Sequence, residues 1–296
     1  MKEQLKRTNG LLSLCLRATM AVSLCAVLLT AQSGGITTKD PKAKEAVDAA
    51  LKALGGADKI DNIKSLIIKG TGTNGVFGVP IQGNLVIGEL LPMVVTGTEK
   101  FDFEIRMMLP DNFIEINRFP DRTTYLGISR GTLLSDLSGN GNIQQKPIRS
   151  TVNEQIDIWS RFLVGTLMKA GPTQLTLSSG GSSNWFTMTN TDGDMHEIEF
   201  ESKTGYPSLI RSERLHTTGV ALASIGGVRT SKALLEERIQ FSNRFSTDGI
   251  MFPRIITALV PARVDKEWRI EEVRINTGLS LKDFELPNNS TSPTNR

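Results

Sequence analysis

Alternation with a period of two is the feature that limits this chain most. Phe101, Phe103, Ile105 and Met107 fall in one phase of a run, and Lys100, Asp102, Glu104 and Arg106 in the other. His196, Ile198 and Phe200 oppose Glu197, Glu199 and Glu201, while Ile239 and Phe241 oppose Arg238 and Gln240. Successive side chains point to opposite faces of a strand, so each run offers one face to an apolar interior and one to water. Two-faced strands of this kind belong to antiparallel sheets, since parallel strands are buried on both sides. Trp268 and Ile270 share one phase, Val273 and Ile275 the other, and the slip at Glu271-Glu272 predicts a β-bulge that bends the strand. Asn74-Gly75, Asp192-Gly193 and Asp248-Gly249 each stand between strand-like runs, where such pairs signal hairpin turns.

Helical spacing is confined to a few segments. Asp40 can cap a helix, Pro41 fits its first turn, and Ala43, Val47, Ala50, Leu51 and Leu54 recur on one side before Gly55-Gly56 stops it. A short turn over Ala57–Ile63 leads into the first long strand, Ser65–Thr73. A second helix is predicted where Thr151 and Glu154 have capping-box spacing and Val152, Ile156, Trp159, Leu163 and Leu167 form a stripe. Thr217–Thr230 reads either as a glycine-rich strand or as a loop. The fold class expected is mainly β with helices (α+β), in one domain over residues 34–287, followed by a disordered polar tail over 288–296.

The first 33 residues are read as a secretory signal peptide. Lys2, Lys6, Arg7 and Arg17 give a basic start, Ala18–Leu29 is a run of apolar or small residues, and Ala31 and Ser33 are small where a peptidase reads. The run is shorter than the ~20 residues a spanning helix needs. Removing 33 residues from 296 leaves 263, enough to bury roughly 70–75% of the unfolded surface without covalent staples. Both cysteines, Cys15 and Cys25, leave with the peptide; Leu14 and Leu24 precede them where a lipidation site has a small residue. The basic count falls from 34 to 30 with Lys2, Lys6, Arg7 and Arg17, and the acidic count from 31 to 30 with Glu3. An electrically balanced chain lacks the basic patch that nucleic acid binding uses. A chain without cysteine has no disulfide framework, thiolate nucleophile or sulfur-ligated metal. The expected location is the periplasm.

The order of several short segments resembles a known group. Ala50-Leu-Lys-Ala-Leu-Gly-Gly-Ala-Asp-Lys-Ile60, with Ile63-Lys-Ser-Leu66 after it, is similar to the opening of exported bacterial proteins related to the lipoprotein carriers LolA and LolB. Phe101–Phe119 around Leu109-Pro110-Asp111 resembles their paired strands about a Pro-Asp turn, and Glu199-Phe-Glu-Ser-Lys-Thr-Gly-Tyr-Pro207 their Lys-Thr-Gly turn. Asp248–Pro253, Ile270–Asn276 and Phe284–Pro287 are similar to the last three elements. The resemblance spans about Val47 to Pro287. It implies a strongly curved antiparallel sheet, an incomplete barrel whose concave side is covered by helices and holds acyl chains. Glu201-Ser202 departs from the Asp-Pro common before Lys-Thr-Gly.

Motifs for other chemistries lack their context. Gly127-Ile-Ser-Arg-Gly131 matches the nucleophile elbow, and His196 or His216 follows in the right order, but no helical stripe comes after it. It reads as a hairpin with Ser129-Arg130-Gly131 at the tip. Gly70-Thr-Gly-Thr-Asn-Gly75 has dinucleotide spacing, yet Val76–Val86 is strand-like where pyrophosphate needs a helix N-terminus. No metal set, cofactor or catalytic pair is read. The reading is a non-enzymatic binding protein for a lipid, an acyl chain or a lipidated protein, with a lipoprotein or an envelope membrane protein as a possible partner and no transmembrane segment in the mature chain. Its candidate wall is Phe101, Phe103, Ile105, Met107, Ile198, Phe200, Ile239 and Phe241. Trp159 and Leu163 form its lid, and His196 is a polar group at the pocket or a buried core histidine. The rivals are a serine hydrolase on Ser129 with His196 or His216, and a structural or sensory module with a filled core.

Overall fold

In the computed structural model the described residues are 35–78, 91–92, 94–109, 112–129, 132–136, 139–141, 143–147, 174–180, 184–189, 195–222, 228–260 and 263–286. The chain enters through a short strand, β1 (Gly35–Thr37), and two helices, α1 (Pro41–Ala53) and α2 (Ala57–Asp61). The strands that follow are β2 (Ser65–Gly78), β3 (Leu91–Pro92), β4 (Val94–Met108), β5 (Asn112–Arg118), β6 (Thr123–Ser129), β7 (Thr132–Asp136) and β8 (Gln144–Pro147). After them come β9 (Gln174–Ser179), β10 (Trp185–Thr189), β11 (Met195–Phe200), β12 (Pro207–Leu222), β13 (Val228–Thr247), β14 (Ile250–Val260) and β15 (Arg263–Ile275). A 3-10 turn, Leu281–Phe284, follows the last strand.

All of these strands join one sheet, in the order β1-β9-β10-β11-β12-β13-β14-β15-β2-β4-β5-β6-β7-β8, with β3 on β12. Neighbours are antiparallel except β1 and β9, which run parallel through Gly35↔Gln174 to Thr37↔Thr176. Among the described residues the order ends at β1 and β8 without joining them, so the sheet they form is open. Register shifts interrupt the ladders at Val76/Phe77, Glu199/Phe200, Thr217/Gly219, Ala258/Leu259 and Ile270/Glu272, each a place where a strand can bend. The shift at Ile270/Glu272 is the bulge expected at Glu271-Glu272.

The sheet curls. β15 and β5 are separated by β2 and β4, three spacings of ~4.8 Å, or ~14 Å if flat. Nevertheless Lys266 Nζ of β15 lies 2.9 Å from Glu115 Oε1 of β5, and Trp268 Nε1 lies 3.4 Å from the same oxygen. Side chains of the inner face meet only if the strands between them bow. Gly70 and Gly72, at the middle of that bow, face Phe103 and Phe101 on β4. A Cβ at Gly72 would lie 2.3 Å from Phe101 Cζ, and one at Gly70 only 1.9 Å from the Arg269 carbonyl oxygen. These glycines are space for rings and for a neighbouring backbone, not a phosphate loop.

α1 forms as its sequence dictates. Asp40 accepts from Lys42 N at 3.0 Å and from Ala43 N at 3.5 Å, and its other oxygen accepts from Ser179 N at 2.6 Å. Hydrogen bonding from Ser179, first its side chain and then its backbone, lowers the Asp40 carboxyl to about 2. The helix buries Ala43, Val47, Ala50 and Leu51 in the cluster that holds the inner-face residues of the strands.

Several expectations change. Asn74-Gly75 is no turn: it lies inside β2, paired with Glu99 and Thr98 of β4, because two flanking strands hold the segment extended against its local preference. β2 accordingly runs to Gly78 rather than ending at Thr73. Thr217–Thr230 is neither a lone strand nor a loop throughout; residues to Leu222 and from Val228 pair with each other as the ends of β12 and β13. The helix predicted from Thr151 and the tail after Pro287 lie outside the described residues. Asp248-Gly249 does make the tight connection expected, with Thr247 opposite Ile250 and φ of 53° and 74° at the two turn residues.

Candidate functional site

The predicted wall residues come together. Phe101, Phe103, Ile105 and Met107 on β4, Ile198 and Phe200 on β11, and Ile239 and Phe241 on β13 are all buried in one apolar cluster. Register explains why. Phe186, Ile198, Ile210, Ile239 and Ala258 form one row across five strands. Phe241, Ile256, Trp268, Gly72 and Phe101 form another. Each row is a line of cross-strand partners on one face, so the phase read along each strand becomes a continuous apolar surface across the sheet. His196 belongs to this face, opposite Met188 and 8% exposed. Trp159 and Leu163 lie outside the described residues.

Polar groups also enter the apolar face, and sequence reasoning missed the chief of them. On β5, Glu115 and Asn117 are 4% and 7% exposed and stand opposite Ile105 and Phe103. Glu115 Oε1 receives Lys266 Nζ at 2.9 Å, Asn117 Nδ2 at 3.0 Å and Trp268 Nε1 at 3.4 Å. The Lys266 ammonium lies 4.5 Å from the Trp268 ring centre and 5.0 Å from that of Phe101. A carboxylate in this setting is stable only with such a set of donors. The missed signal was register: carrying the β4 phase across its pairing with β5 puts Phe113, Glu115 and Asn117 inside, with Ile114 and Ile116 outside. Read along β5 alone, the isoleucines claim the interior.

The outer face explains where those isoleucines go. Phe284 of the 3-10 turn covers Ile114 and Ile116 in a second small cluster. Next to it Glu104, placed on the water side by its phase, is 8% exposed. Arg106 Nε at 2.7 Å, Arg118 Nη2 at 3.3 Å and Lys69 Nζ at 3.6 Å surround it, and Arg106 also donates to the Asp283 carbonyl at 3.1 Å. Burial pushes the Glu104 carboxyl up, but the Arg106 hydrogen bond and charge, with Lys69 and Arg118, hold it below its ordinary value. Further along this face is a cleft of about 570 Å³ with Thr71, Thr73, Lys100, Asp102, Arg118 and Arg269 in its lining. Phe101, Phe119 and Pro120 line it too, so rings and charged side chains share its surface.

Among the described residues the rival motifs lack the setting their chemistry needs. Ser129 pairs with Thr132 across the β6–β7 hairpin, and its hydroxyl lies 3.2 Å from Asn112 Oδ1. No strand-to-helix turn presents it as a nucleophile. His216 is on β12 opposite Ala233. Among the described residues no group of three or more histidine, cysteine or acidic residues is placed to hold a metal, and no helix is long and apolar enough to cross a membrane.

No family model and no curated protein matches the chain. Among solved structures it is similar to a LolA superfamily protein from Nitrosomonas europaea, at 11% identity and a TM-score of 0.44, over 82% of this chain and 97% of that one. It is also similar to a DUF1329 family protein from Desulfovibrio piger, at 12% identity and a TM-score of 0.45, over 83% of this chain and 98% of that one.

Proposed function

We propose that the mature chain is an exported, periplasmic, non-enzymatic binding protein that holds an acyl chain, a lipid or a lipidated protein against its inner face. The observation that carries this reading is the unbroken apolar surface from β10 through β13 and β15 to β4, on a sheet that curls without closing. An open sheet can part at its ends and admit a guest. Transfer of an alkyl chain from water to such a surface is favoured by about 0.8 kcal/mol per CH₂. Sequestration requires no catalytic group, in keeping with the hairpin setting of Ser129. The order of segments shared with the lipoprotein carriers supports the same reading.

A second reading has its own observation. All eight wall residues are at most 5% exposed, as they would be in a filled core with a structural or sensory role. Native mass spectrometry of protein purified from its own periplasm separates the two. A co-purifying lipid of defined mass is the expected result. Ligand-free protein that also takes up no added alkyl probe would reject the binding reading in favour of the filled core.

A further inference from the structure

The polar cluster on the inner face contains one group whose chemistry is incomplete. Asn117 is 7% exposed, and its Oδ1 is buried without a hydrogen-bond partner. The amide cannot relieve this by turning over. Glu115 can only accept, so it fixes the Nδ2 end of Asn117 toward itself at 3.0 Å and leaves Oδ1 facing the other way. A buried acceptor is costly until something donates to it. Lys266, with 18% of its side chain exposed, is the member of the cluster that water reaches.

We propose that Asn117 Oδ1, held in place by Glu115, Lys266 and Trp268, anchors the neutral hydrogen-bond donor of an amphiphile: an amide N–H or a hydroxyl at the head of an acyl chain. This rests on the binding reading above and narrows its ligand class. The apolar rows take the chain, since Phe101, Phe103 and Trp268 adjoin the cluster on the same face. The head must donate, because the waiting atom is an acceptor. A free carboxylate is a poor fit, having no proton to give at neutral pH and meeting the Glu115 carboxylate beside the anchor. Lys266 has donors to spare, but its charge is already offset by the Glu115 carboxylate, which is 5% exposed and takes the ammonium at 2.9 Å.

The test compares two ligands of equal length on the mature protein, decanamide and decanoate, by isothermal titration calorimetry at pH 7.5. One net hydrogen bond corresponds to about tenfold in affinity, so the parent should prefer the amide by about that factor. Asn117→Leu, close in shape but without the acceptor, and Asn117→Ala should bring the two affinities within about twofold by weakening the amide alone. Equal binding of both ligands by the parent, or an amide preference that survives in both variants, would overturn the anchor and leave the binding reading standing. Preference for decanoate, lost in Lys266→Met, would overturn it in favour of a carboxylate site. Binding of neither ligand would remove both proposals. If the variants do not fold, the parent's preference decides.

Discussion

At Glu115 the chain sets a carboxylate among rings and aliphatic groups, and the surroundings make its partners unequal to remove. Losing Lys266 takes a cation away from a buried carboxylate, a change that costs about 3–5 kcal/mol when one member of a buried pair is deleted. Lys266→Met should therefore destabilise by that order in urea unfolding. Lys266→Met with Glu115→Leu should recover part of the loss, because the charge is then gone as well. Glu104 is different, since its cations are half-exposed. Its carboxyl sits below the ordinary value of 4.5 in the folded state, so its stabilisation is complete above that value and is lost as pH falls through the folded one. Glu104→Gln should cost about 1.5–3 kcal/mol at pH 7, as for hydrogen bonds to a charged group. The gap between parent and variant should narrow as the pH is taken below 4.5. A gap independent of pH would mean that the carboxylate is not the stabilising form.

Within elements, the strands were legible wherever phase alone decided the face. Phe101 to Met107, His196 to Phe200 and the slip at Glu271-Glu272 all took the faces their alternation dictates. What phase cannot provide is the neighbour across the ladder. β5 has two alternating sets, and only its register with β4 says that the polar set turns inward. Asn74-Gly75 misled for a related reason, since its turn preference is local while its extended shape is imposed by β4 and β15. Gly70-Thr-Gly72 shows the same gap between motif and use. Gly72→Ala should destabilise by about 1–3 kcal/mol through overpacking, because its Cβ would meet Phe101 Cζ at 2.3 Å. Phe101→Leu in the same chain should relieve part of that. Gly70→Ala should be worse and should not be rescued by trimming a ring, because the obstruction is the Arg269 carbonyl at 1.9 Å. Thermal unfolding of these three variants, and of Gly70→Ala combined with Phe103→Leu, orders these effects. Equal damage from both glycine changes would refute the assignment of one to a side chain and the other to backbone.

For the molecule as a whole, the sheet's curl brings β15 against β5 and makes two edges, one of them β1 beside β9. The segment order legible in the sequence anticipated a curved sheet, but not which groups meet inside it, since those meetings join residues 151 and 153 positions apart. That interior is where binding and filled core make opposite forecasts. Phe103 on β4 and Phe241 on β13 are 2% and 5% exposed on the same face, with β14, β15 and β2 between their strands. An unpaired charge at either place in a filled core costs several kcal/mol, a large part of the stability of a domain. If the face instead opens to admit a chain, the charge can reach water through the opening while repelling an apolar guest. Phe103→Asp and Phe241→Asp should then weaken binding of a fluorescent fatty acid more than they lower the unfolding midpoint. The measurement is a probe titration beside a thermal melt for each variant. Folded variants with unchanged probe affinity would place both rings outside the site. Unfolded variants of a parent that binds no probe would assign the face to structure alone.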